Sequence, residues 1–447
     1  MDGGGTTCGY GSAMSQLHNA ELVASEQAMN AGMIGLADVY VQQVLMARPD
    51  SAPAWNLAGK IATKLGLKPQ ALGFFDRARA ADRYFKAAEK NRALAEKLAD
   101  RPAPAGQRYL LIREWGAGFW SDVEGVLGHL LIAEICGRTP LVYWGPSSLF
   151  ASSGRNAWEL SFSPVSGATI GDAAAAGSLG SFPDRWKTKS ATDLAPITSY
   201  IHAERWEGPQ ARVAIAQLLA TDAPLAVGDF TAPLPWVSRW IPPQHPLHGR
   251  SLDDLYRYLV DKYLHPAPQM RDAAAQWHRQ NIGDAYSIAV HVRLTDKPVE
   301  VPDIVDYYNM VPALIAQRLA VHPEAKVFVM TDTPVALDEL RAKFPGKVVH
   351  TDCTRNRGET GVHFLKSVSG ESLAREVMLD SLVATMCNEF LGSGSSNVAC
   401  MISRLKQWDA GTCTLRGLNL QQQVHGMVFT MPTPHEFFLG AARREAT

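Results

Sequence analysis

Long apolar runs are missing from this chain: nowhere do 18 consecutive apolar residues occur, so no membrane-spanning helix is expected. The opening Met1-Asp2-Gly3-Gly4-Gly5-Thr6 lacks the basic-then-apolar order of a secretory signal, and residues 1–17 are expected to be a flexible tail. Neither charge is in excess, with 43 basic residues against 44 acidic, which argues against a general nucleic-acid binder. Cysteine is sparse. The six residues Cys8, Cys136, Cys353, Cys387, Cys400 and Cys413 form no Cys-x-x-Cys and no zinc-like Cys/His spacing. They therefore point to reduced thiols in a cytoplasmic protein rather than to a disulfide framework. A Gly-Lys-Ser/Thr phosphate loop, a dinucleotide-binding glycine fingerprint and a Gly-x-Ser-x-Gly nucleophile elbow are also absent. Their absence gives no support to P-loop, nicotinamide-dependent or serine-hydrolase chemistry.

A chain of 447 residues suggests about three domains. Residues 18–105 are rich in Ala, Leu, Lys and Glu at helical spacing. Ala37 and Ala71 lie 34 residues apart, and Trp55, Gly59, Ala71, Phe75 and Ala78 follow one another at 4, 12, 4 and 3. Pro49 closes the earlier unit. The pattern resembles tetratricopeptide repeats over 18–51 and 52–85, followed by a capping helix through Asp100. Small residues at these positions let paired helices approach, while Trp55 and Phe75 fill the gap between them. Stable solenoids need at least three repeats. This segment is therefore expected to pack on the next domain, either as a structural cap, as an oligomer contact, or as a surface for a protein partner.

Arg101-Pro102-Ala103-Pro104-Ala105-Gly106 reads as a stiff linker. A strand over 109–112 then enters a Gly-rich loop at 115–122, a helix over 123–136 ending at Gly137, and a strand over 140–144. This opens a Rossmann-like unit, assigned to 106–284. At such a loop Gly118 would let a ligand approach closely. Asp122 either accepts a hydrogen bond from a ligand hydroxyl or, with Ser121, caps the helix. Residues 166–182, dominated by Ser, Gly and Ala, are expected to form a loop. Trp158, Phe162, Trp186, Trp206, Trp236 and Trp240 are either core or platforms for a sugar acceptor.

Residues 285–447 read as a second Rossmann-like domain. Ile288 to Val292 is a buried strand that runs straight into Arg293, Asp296 and Lys297. Ligands of open α/β sheets bind at the carboxyl ends of strands, and an arginine there holds a diphosphate with a planar fork. The strand 326–330 ends at Asp332, and the strand 389–392 ends at Ser393-Gly394-Ser395-Ser396-Asn397, where the next helix begins. A helix start of this kind is an anion site or an ordinary cap. Asp380 lies on the helix between the last two strands.

Taken in order, Val290-His291-Val292-Arg293-Leu294-Thr295-Asp296-Lys297, Val327-Phe328-Val329-Met330-Thr331-Asp332-Thr333-Pro334, and Val377-Met378-Leu379-Asp380 through Ser395-Ser396 resemble the GDP-fucose-dependent fucosyltransferases, especially the α1,6-fucosyltransferases of N-glycan cores and nodulation factors. The resemblance implies an α/β fold of GT-B type, with two Rossmann-like domains facing across a cleft, here preceded by the helical repeat-like segment. It implies an inverting, metal-independent transfer, and the chain has no Asp-x-Asp. On this reading Arg293 neutralises the leaving diphosphate, with Ser395, Ser396 and the helix terminus assisting, and Lys297 also binds the donor. His291 positions the pyrophosphate or sugar. Asp380 binds base or ribose, or holds Arg293. Asp332 supports the donor site from its neighbouring strand. Glu300, Asp296 or Asp122 serves as the base. No cofactor beyond the donor is implied. The donor is GDP-fucose or another nucleotide-sugar, and the acceptor a glycan, peptide or protein, as in bacterial glycosylation. The family motif has a second Arg where this chain has Leu294 and a second Asp where it has Thr333. The alternative is a repeat-containing scaffold with a degenerate transferase domain.

Overall fold

The computed structural model describes residues 8–102, 105–152, 154–186, 215–230, 232–296, 298 and 303–417. The chain begins with five helices: α1 (Cys8–Asn30), α2 (Ile34–Ala47), α3 (Ala52–Lys64), α4 (Lys68–Ala81) and α5 (Lys86–Glu96). The first already covers residues 8–17, which the Gly-rich opening had suggested as tail. Ala13, Met14, Gln16 and Leu17 are good helix formers, whereas Gly9 and Gly11 are not. The Ser51 hydroxyl caps α3 by accepting the Ala54 N–H, and Pro53 occupies its first turn. A Cβ at Gly59 would fall 2.4 Å from the Phe75 ring, so α3 and α4 meet closely there because Gly59 has no side chain.

The helical segment packs against the chain around Trp240. The Phe74 ring meets Trp240 edge-on at 4.9 Å, and Arg239 reaches Met46 and lies over Trp55. Asp38 is buried at this junction. Burial raises its pKa to about 7, even though Gln42, the Ala216 backbone and Arg239 pull it down. A polar group enclosed this way ties the helices to the domain beneath.

Two parallel sheets come next. In the first, β1 (Tyr109–Ile112), β2 (Thr139–Val142), β3 (Ser181–Phe182) and β4 (Leu225–Gly228) take the order β2-β1-β4-β3. Its helices are α6 (Phe119–Cys136), α7 (Ile170–Leu179), α8 (Ile215–Ala220) and the single turn α9 (Leu234–Val237). Helices α10 (Leu252–Tyr263) and α11 (Pro268–Asn281) lead on to the second sheet. There β5 (Ser287–Val292), β6 (Lys326–Thr331), β7 (Val348–Val349), β8 (Glu389–Ser393) and β9 (Cys413–Arg416) take the order β7-β6-β5-β8-β9. Its helices are α12 (Asp303–Val321), α13 (Pro334–Lys343), α14 (Gly370–Met386) and α15 (Asn397–Leu405). Both β5 and β8 are buried along their whole length, which is why their central residues, Ile288–Val290 and Phe390–Leu391, are apolar on both faces rather than alternating.

Residues 166–182 are not a loop. Thr169 and Asp172 form a reciprocal capping box, and the Ala-rich run behind them makes α7 before β3. Trp158, Phe162 and Trp240 are fully enclosed and Trp186 is 3% exposed, so these rings are core rather than an open sugar platform. Phe119, Trp120, Trp144 and Phe150 interleave with Trp158 and Phe162. Trp236 is half-buried against the same core, and Trp206 lies outside the described residues.

Helix α6 sits tightly on its surroundings. A Cβ at Gly128 would lie 1.6 Å from the Ala232 carbonyl oxygen, which is backbone. Helix propensity alone favours alanine here by about 1 kcal/mol. The clash outweighs it, and Gly128→Ala is expected to destabilise the chain by about 3 kcal/mol. A urea midpoint equal to or above that of the parent would contradict this packing.

Candidate active site

Strands β6, β5 and β8 run side by side in parallel, so their carboxyl ends open on one edge of the second sheet. The pairings Val292↔Thr331 and Val290↔Leu391 put Arg293 beside Asp332, with the Ser393–Ser396 turn on the opposite flank. The turn after β5 is built on Asp332, which accepts N–H bonds from Leu294 (2.9 Å) and Thr295 (3.3 Å) and the Thr295 hydroxyl (2.6 Å). Asp296 then grips Arg293 through Nε (3.2 Å) and through Nη2 to both carboxylate oxygens (2.9 Å each). Asp332 stands 3.9 Å from Arg293 Nε. The guanidinium edge formed by Nε and Nη2 is thus fixed, and Nη1 lies at its other end. Burial raises the Asp296 pKa, but the charge and hydrogen bonds of Arg293, helped by His363, outweigh it and hold the carboxyl below its usual range.

His291 is 7% exposed and its Nδ1 has no hydrogen-bond partner among the described residues. Burial, and secondarily Arg293, lowers its pKa to about 3, so it is a neutral imidazole at physiological pH. Ser396 is wholly buried. It occupies the N-cap position of α15 without a side-chain capping bond, and its Oγ also has no partner among the described residues. Ser395 is buried, and its N–H donates to Ser393 Oγ at 3.2 Å. Unpaired buried polar groups are costly, and a ligand that bonded His291 and Ser396 would remove that cost.

Asp380 projects from α14 and does not hold Arg293, a task that falls to Asp296 and Asp332. Its carboxylate accepts the Thr351 hydroxyl and the Cys353 thiol (3.5 Å). Burial raises its pKa to about 6, against the pull of those bonds and of Arg355. The segment 350–365, which carries no periodic pattern, folds over this edge. Asn356 N–H bonds the Asp332 carbonyl (2.8 Å), and a Cβ at Gly361 would fall 2.5 Å from Asp296 Oδ2 and 2.8 Å from His363. Sequence reasoning missed Thr295, Thr351, Arg355 and Gly361, and only the glycine carried a signal.

The Gly-rich loop differs from its expected form. Helix α6 begins at Phe119 with Gly118 at the N-cap, so Ser121 and Asp122 lie inside its first turn and cap nothing. Asp122 instead reaches back to accept the Ala117 N–H (3.0 Å). It is 1% exposed, and burial first, then nearby Glu114, pushes its pKa up. Gly118 borders open space: a Cβ there would meet nothing within 4 Å. This loop approaches the second sheet through Trp120, whose indole N–H donates to Ser381 on α14 (2.9 Å), beside Asp380. Lys297 and Glu300 lie outside the described residues. Among the described residues no group of three His, Cys, Asp or Glu side chains converges to hold a metal, and no helix is long and apolar enough to cross a membrane.

No protein-family description matches the chain, and no curated protein matches it. Solved structures do. NodZ α-1,6-fucosyltransferase soaked with GDP-fucose is 18% identical, with a TM-score of 0.43 over 67% of this chain and 92% of that one. POFUT1 in complex with GDP is 12% identical, with a TM-score of 0.42 over 71% and 100%. A point mutant of FUT1 from Arabidopsis thaliana in complex with GDP is 11% identical, with a TM-score of 0.41 over 79% and 78%.

Proposed function

We propose that this chain is an inverting, metal-independent glycosyltransferase that moves fucose from GDP-fucose to a glycan, peptide or protein acceptor. The observation that carries the proposal is the fixed Arg293 guanidinium at the end of β5, held by Asp296 beside Asp332, on an edge where His291 Nδ1 and Ser396 Oγ are buried without partners among the described residues. In the reaction the acceptor oxygen attacks the anomeric carbon while the bond from that carbon to the diphosphate oxygen breaks. The electron pair leaves on GDP, and the acceptor proton passes to a carboxylate. Arg293 meets the charge that develops on the diphosphate. Because it is already oriented, it needs no rearrangement at that moment. Neutral His291 offers a hydrogen bond without adding charge, and Ser395 and Ser396 lie at the start of α15, where the helix dipole favours an anion.

Glu300 is the base in this scheme. Asp296 accepts from Arg293 with both oxygens, and Asp122, although its Oδ2 has no partner among the described residues, is 1% exposed and shut off from an acceptor hydroxyl. Residues 106–284 and 285–447 would form the two Rossmann-like halves of a cleft, and 18–105 a repeat-like segment able to receive a protein partner.

Calorimetric titration with GDP, UDP, CDP and ADP, without and then with Mg²⁺, tests the donor. Selective, metal-independent GDP binding supports the proposal, preference for another nucleotide replaces the donor, and binding of none favours the scaffold. The loop over Arg293 offers a finer test. Gly361→Ala forces Asp296 aside and should lower transfer about 10- to 100-fold while leaving the thermal midpoint near that of the parent. Unchanged transfer would mean that the alignment of Arg293 by Asp296 is dispensable.

A further inference from the structure

On the described edge of the second sheet, acids outnumber the arginine at their centre. Arg293 faces Asp296 and Asp332, while Asp380 on α14 has the charge of Arg355 beside it. A nucleoside diphosphate brings further negative charge to this place, so a second cation is needed beside Arg293.

Arg355 meets the requirement. Its Nη1 and Nη2 donate to the backbone carbonyls of Cys353 and Thr351, both at 3.0 Å, so its hydrogen bonds go to neutral groups. Its Nε is buried and has no partner among the described residues. The chain on either side is pinned. Thr354 bonds Glu376 of α14 through its N–H (2.7 Å) and hydroxyl (3.1 Å), and Asn356 N–H bonds the Asp332 carbonyl. Arg355 is therefore held between α14, which carries Asp380, and the end of β6, which supports Arg293. A guanidinium fixed at its base with a donor unused is preorganised for an oxyanion.

We infer that Arg355 is a second diphosphate-binding residue of this site, acting with Arg293 on the phosphates of a nucleoside diphosphate. The inference rests on the donor reading given above. The test is titration of the full chain and its Arg355→Gln and Arg355→Lys variants with GDP, GMP and guanosine, with thermal midpoints measured alongside and the GDP series repeated in Mg²⁺. GDP affinity should fall about tenfold in Arg355→Gln, the loss of one charge-assisted contact. Guanosine affinity should stay level and GMP should fall between the two, while Arg355→Lys recovers only part of the GDP affinity, because one ammonium cannot both hold the Cys353 and Thr351 carbonyls and reach a phosphate. Equal loss of GDP and guanosine with a lowered midpoint would make Arg355 only a brace for its loop and overturn the inference. GDP affinity that rises in Mg²⁺ and ignores Arg355 would overturn it in favour of a metal ion. A chain that binds GDP through Arg293 but not Arg355 defeats this inference alone, whereas one that binds no nucleoside diphosphate defeats the donor reading as well.

Discussion

Replacing Arg293 with alanine should lower fucosyl transfer from GDP-fucose about 10²- to 10³-fold, the scale at which a preorganised charge partner of a leaving group is lost. The reason lies in how the side chain is held. Three hydrogen bonds to Asp296 fix one edge of the guanidinium, and Asp296 in turn lies under Gly361, so the charge is in place before substrate arrives. Lysine should recover little of the loss, because one ammonium cannot both span the Asp296 carboxylate and reach a diphosphate. GDP affinity should drop together with kcat, since the contact exists in the bound donor and strengthens as the bond breaks. Initial-rate kinetics with a GDP titration on the same preparations would check this. If Arg293→Ala kept a tenth or more of the parent kcat/KM, the diphosphate site would have to lie elsewhere.

Glu300→Gln should separate chemistry from binding. Removing a general base costs about 10²- to 10⁴-fold in rate, whereas an amide of the same shape leaves the donor contacts alone. The expected pattern is therefore a collapse of kcat with GDP affinity within about twofold of the parent. The choice of Glu300 over its two rivals comes from the geometry around them. Asp296 is bound at both oxygens and its pKa is depressed, which makes it a poor proton acceptor. Asp122 has the raised pKa that a base wants, but burial is the cause, and that same burial keeps an acceptor away. If Glu300→Gln retained full kcat while Asp122→Asn lost it, this assignment would be reversed, and the Gly-rich loop would have to open during turnover.

The strands that carry the site were legible because parallel strands buried on both faces must be continuous apolar runs. Ile288–Val290 and Val327–Met330, rich in β-branched and aromatic residues and too short for a helix, read as strands. The polar residues at their ends were visible in the sequence, but Asp332 turns out to build the turn after β5 and Asp296 to pair with Arg293, uses that only the fold reveals. Helix starts were less so. Ser121 and Asp122 look like caps, yet the chain turns at Gly118 and sends the Asp122 carboxylate back to Ala117, a choice made by the buried Trp115 and Trp120 on either side. Strand β9 was not anticipated, since Cys413–Arg416 is only half-buried and too short for a period to register.

Local patterning by itself determined the helical start of the chain, the strands β1, β2, β5, β6 and β8, and the charged residues after β5 and β6. Those features depend on neighbours in the chain, whose spacing decides which face is apolar. Tertiary structure decided what each charge does. Asp332 lies 36 residues beyond Asp296, yet the two meet the same arginine because β5 and β6 are hydrogen-bonded partners. Asp380 was as open to holding Arg293 as to binding a ligand until Thr351 and Cys353 were found against it. Segment 350–365 has no period to predict from, so its fold comes from long-range contacts with Asp332, Glu376 and Asp296, and these are what bring Arg355 to the site.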